Sequence, residues 1–98
     1  MPRARSKSPP LDRDAAEAIG LQGLTFLAEE PSRLARFLQL TGLEAGEVRA
    51  RAGAPELLLA VLEHLNADES LLLTFTAGRN VAPESIARAI ALLGGAPL

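Results

Sequence analysis

The sequence has no cysteine, no tryptophan and no tyrosine, and it carries one histidine and one methionine. Without cysteine, disulfides, thiolate metal sites and thiol catalysis are excluded. That fits a reducing compartment, and a cytoplasmic location is expected. A lone histidine, His64, has no second histidine or thiolate with which to build a metal cluster or a catalytic triad. The missing Trp and Tyr remove the usual anchors of sugar-binding, base-stacking and hot-spot surfaces. Phe26, Phe37 and Phe75 are the whole aromatic inventory. No apolar run approaches the ~20 residues that a bilayer-spanning helix requires; the leucine-rich run 57–62 is closed by Glu63. No membrane association is expected.

The 98 residues amount to one domain's worth of chain. The apolar half of the composition is mostly Leu, Ala, Val and Ile, and leucine and alanine are strong helix formers. β-Branched residues are few. The composition therefore favours helix over strand, and with the helical periodicities and the proline and glycine breaks along the chain it predicts an all-α fold, a compact bundle of five to six short helices. Residues 1–10, MPRARSKSPP, mix prolines and serines with Arg3, Arg5 and Lys7. They read as a disordered basic tail, with no apolar stretch behind the charges that would make a secretory signal. A single helical domain is expected over 11–95. Beyond residue 10, seven basic residues face twelve acidic ones, a charge of −5. An acidic body argues against a dedicated nucleic-acid binder, whose affinity rests on neutralising phosphates.

Proline and glycine divide that domain. Asp12 is a good N-cap for a first helix, with Asp14 and Glu17 suiting its positive end. Ala16, Ile19, Gly23, Phe26 and Leu27 fall on one face. Gly20 and Gly23 each cost about 1 kcal/mol relative to alanine inside a helix, which points to a neighbouring helix passing close by. Pro31 opens a second helix whose face is Leu34, Phe37, Leu38 and Thr41, and Gly42 closes it in a left-handed cap. A short third helix is expected over 43–52, with Glu44 and Glu47 near its start, Arg49 and Arg51 near its end, and Gly53 as its stop. Pro55 opens a fourth. Leu57, Leu58, Leu59, Val61, Leu62 and Leu65 cover most of its circumference, the mark of a central helix. Asp68 caps a fifth over 69–77, with Leu71, Leu72 and Phe75 inward and Gly78-Arg79-Asn80 ending it. Pro83 opens a sixth, with a buried stripe of Ile86, Ile90 and Leu93, Ala89 beside it, and Gly94-Gly95 as the stop. Pro31, Pro55 and Pro83 stand 24 and 28 residues apart, but their flanks do not match, so no repeat is inferred.

No catalytic, cofactor or metal site is expected. Glu63 and Glu56 are near His64 in sequence, but carboxylates on a solvent face are common, and no nucleophile elbow is present. Asp68-Glu69 reads as a cap with first-turn charge. Two functional readings follow. The first is a non-enzymatic interaction or structural module that meets a protein partner, or a second copy of itself, through the Leu-rich fourth and fifth helices. The alternative is DNA binding by a helix-turn-helix-like unit over 33–53, hinged at Gly42. Glu44 and Glu47 weigh against it, because they stand where phosphate- and base-contacting residues belong.

The chain also resembles the domain of unknown function 3572 family, small alphaproteobacterial proteins with no assigned activity. The resembling residues are Phe26-Leu27-Ala28-Glu29, Pro31, Arg36-Phe37-Leu38, Thr41-Gly42-Leu43, Arg49, Val61-Leu62, Asp68-Glu69-Ser70-Leu71-Leu72, Phe75 and Pro83-Glu84. They span about residues 15–93. The chain departs from the family at Glu44-Ala45, where Asp-Pro is usual, and at Gly78-Arg79-Asn80, where the linker is usually more apolar. The resemblance implies a fold type and a bacterial cytoplasmic setting; it implies no mechanism.

Overall fold

A computed structural model describes residues 11–94. The basic stretch 1–10 and Gly95 lie outside them. Six helices follow one another among the described residues: α1 (Arg13–Ala28), α2 (Pro31–Thr41), α3 (Ala45–Ala50), α4 (Pro55–Asn66), α5 (Glu69–Arg79) and α6 (Pro83–Leu92). The chain is all-α, as its composition dictates.

The starts obey simple chemistry. Asp12 and Asp68 each accept a backbone N–H three residues on, Ala15 N at 2.8 Å and Leu71 N at 3.1 Å. Those bonds satisfy donors with no intrahelical partner. Pro31, Pro55 and Pro83 stand at the beginning of α2, α4 and α6, where a missing N–H costs nothing. In each case the residue before proline is extended, as proline's ring demands.

The stops divide into two kinds. Gly42 (φ 78°) and Gly94 (φ 108°) adopt left-handed backbone and end α2 and α6 as expected. Gly53 and Gly78 do not. α3 is shorter than expected, ending at Ala50 with Arg51 as its C-cap, and Gly53 lies in the turn beyond it. α5 runs on through Gly78 to Arg79, and Asn80 takes the left-handed position at φ 58°. Asparagine tolerates that region, and the Asn80 and Val81 N–H groups both reach Thr76 O.

The core is built on α1 and α4, which pack most extensively on each other, with α6 against both. On α4, Leu57, Leu58, Val61, Leu62 and Leu65 are buried and Leu59 is half-buried. Fully burying each such side chain contributes roughly 1.5–3 kcal/mol. Phe37 of α2, Phe75 of α5, and Ile86, Ala89 and Leu93 from the α6 end of the chain complete the interior.

Gly20 and Gly23 explain how α1 and α4 come so close. A Cβ on Gly20 would stand 2.8 Å from Leu58 Cβ, and one on Gly23 would stand 3.0 Å from both Val61 Cγ1 and Leu65 Cδ1. The first helix therefore buries a slightly different stripe from the expected one: Gly20 and Leu24 join it, while Ile19 is only half-buried. Thr41, expected on the inner face of α2, is exposed and donates its hydroxyl to Phe37 O at 2.8 Å.

Candidate interaction surface

With the α4 leucines inside, the fourth helix has little left to offer a partner. Its neighbour differs. α5 packs against α4 and, less extensively, α6, and its outward side carries Leu73, which is 49% exposed. Leu73, Thr76 and Ala77 follow at helical spacing. The Asn80 reversal then folds Val81, Ala82 and Pro83 back beside them. Together these seven residues line a shallow groove of about 510 Å³. None of them is charged. Thr76, though polar, is buried and bonds Leu73 O through its hydroxyl at 3.3 Å, so the groove's only outward polar side chain is Asn80.

The helix-turn-helix-like unit at 33–53 contains most of α2, the Gly42 turn and α3. α3 has six residues, under two turns. Glu44 and Glu47 are engaged in closing its start, the Glu47 carboxylate accepting Glu44 N–H at 2.9 Å. Val48 is its one buried residue, and α3 makes no extensive interface with any other helix. A cleft lies on each side of it. One, of about 240 Å³, runs between α1, α2 and α3, lined by Leu24, Leu34, Val48 and neighbouring alanines with Arg49 at its edge. The other, of about 250 Å³, faces α4 and mixes Leu43 and Leu57 with Glu47, Arg51 and Glu56.

A third cluster gathers at the C-terminal end of α1. The Arg33 guanidinium lies 4.1 Å from the centroid of the Phe26 ring and donates to Phe26 O at 3.4 Å. Arg79 approaches the same ring at 5.4 Å and pairs with Glu29 at 2.7 Å. Phe26 and Phe75 are in tilted contact, centroids 5.3 Å apart. α1 has no basic residue in its own last turn. Arginines from α2 and α5 supply positive charge there and tie three helices together.

His64 stands apart from all of these, in the last turn of α4, edge-on to Phe37 with centroids 5.2 Å apart. Among the described residues, no three His, Cys, Asp or Glu side chains gather where they could hold a metal ion.

Residues 13–96 match the family described as Protein of unknown function (DUF3572). The chain belongs to that family. No curated protein and no solved structure matches it. For this DUF3572 chain the match secures kinship over nearly the whole folded domain and leaves its function to be argued from the surface. No described helix is long and apolar enough to cross a membrane. Sequence reasoning placed the surface on the Leu-rich helices collectively. It missed that the Asn80 turn recruits Val81, Ala82 and Pro83; the signal was the asparagine at the end of a helical run.

Proposed function

We propose that this chain is a non-enzymatic module that works by protein–protein contact, and that the α5–α6 corner is its contact face. The observation that carries the reading is the uncharged groove around Leu73 on a chain in which 22% of residues are charged. A half-exposed leucine framed by alanine, valine and proline gains free energy when covered, at roughly 25 cal/mol per Å² of apolar surface.

The occupant this face suits best is a second copy of the chain. The body beyond residue 10 carries −5, so two copies are kept apart wherever carboxylates face one another. At this corner they meet without bringing like charges together. A two-fold contact would set Leu73 of each copy against the other. Against DNA binding through 33–53 stand the length of α3 and the carboxylates at its start.

Light scattering across a concentration series tests the proposal. Wild-type protein is expected to shift toward dimer as concentration rises. Leu73→Glu, an exposed position, should stay monomeric with an unchanged circular dichroism spectrum. A wild-type chain that stays monomeric and captures no protein partner through this face contradicts the reading. A salt-dependent mobility shift on duplex DNA would favour its rival.

A further inference from the structure

We propose that His64 is a proton-operated latch for α2, so that mild acid lifts the second half of that helix away from α4. Phe37 is the one residue of α2 that is buried, and it meets the His64 ring edge-on at 5.2 Å and 75°. His64 Nε2 is itself buried and has no hydrogen-bond partner among the described residues. A neutral imidazole can leave that nitrogen bare. An imidazolium carries N–H on both nitrogens, so protonation creates a charged donor in the α2–α4 seam with nothing to accept it.

The charged groups that face the ring are Arg36 from α2 and Asp68 at the start of α5. Burial, and then Arg36, hold the histidine below its ordinary value of 6.5, with Asp68 opposing them. The sign follows. A lifted α2 leaves His64 free to bind a proton that the closed seam resists, so the open form holds more protons. Closure is therefore at full strength above pH 6.5 and is lost as pH falls through the lowered value.

The two ends of α2 are held differently, which confines the motion. Arg33 fastens the first turn to Phe26 by stacking and by a bond to its carbonyl. The far end meets Gly42, which has left-handed backbone and nothing within 4 Å of where a Cβ would stand. The second half of α2 can swing there while the first turn stays fastened. Lifting it uncovers Phe37 and the part of α4 beneath.

His64 is the only histidine, so its ring can be titrated by NMR without ambiguity. Amide exchange, corrected for intrinsic rate, is compared at about pH 7.5 and about pH 5, on either side of the ordinary histidine range. The ring is expected to titrate below 6.5. Amides in the second half of α2 should lose protection severalfold at the lower pH, while those of α1 and α6 keep theirs. In His64→Phe, which keeps an aromatic ring but cannot charge, the pH dependence should vanish. Titration at or above 6.5, unchanged α2 protection, or a loss shared equally by all six helices would overturn the proposal. The wild-type measurements decide it even if the variant folds poorly.

Discussion

Glycine shows most clearly how one residue type does opposite things in one small domain. Gly20 sits inside α1 with Leu58 against it, and Gly78 sits inside α5 with open space around it. Alanine gains about 1 kcal/mol over glycine in a helix interior wherever its methyl fits. Gly78→Ala should therefore raise stability by about 1 kcal/mol in a denaturant titration. Gly20→Ala has the same local gain but places a methyl 2.8 Å from Leu58 Cβ, close to the backbone of α4. Overpacking of that kind costs typically 1–3 kcal/mol, so the net effect should be a lowered midpoint. If both substitutions moved stability the same way, the close approach of α1 and α4 would not be what reserves position 20 for glycine.

At the level of the helix, the starts were legible and the stops only half so. Asp12, Asp68 and the three prolines act within three residues of themselves, through a side-chain oxygen or a fixed φ, and so they announce themselves in sequence. Glycine merely permits a left-handed turn. Gly42 and Gly94 use that permission, whereas Gly53 and Gly78 do not, and Asn80 takes the turn instead. What decides between them is tertiary: α5 gains a further half turn beside α6, and the Asn80 reversal carries the chain into α6. The groove around Leu73 depends on that reversal, which is why the sequence pointed to the Leu-rich helices without locating the face. The exposed leucines could not be told from the buried ones by composition, since Leu72 and Leu73 are neighbours on the same helix with different fates. The caps remain testable in isolation. Asp68→Ala removes the acceptor of Leu71 N–H and should cost about 0.5–2 kcal/mol in denaturant unfolding. A loss near zero would mean that α5 is held by Phe75 and the Arg79–Glu29 pair alone.

Across the whole molecule, the arrangement is two central helices, α1 and α4, with α6 laid on both, α2 and α5 each docked through a buried phenylalanine flanked by half-buried leucines, and α3 held by Val48. That order predicts a gradient of local stability, since segments with few buried apolar side chains open at lower free energy than the core. The leucines of α4 are mostly buried within one chain, and the corner beside Leu73 is the face proposed for another protein. Amide hydrogen exchange near neutral pH, on a sample dilute enough for light scattering to show only monomer, tests this directly. The amides of residues 57–65 should be among the slowest in the chain, with those of α3 the fastest of any helix. Rapid exchange across 57–65 in the monomer, slowing only as copies associate, would contradict it, because α4 would then be completed by a second chain.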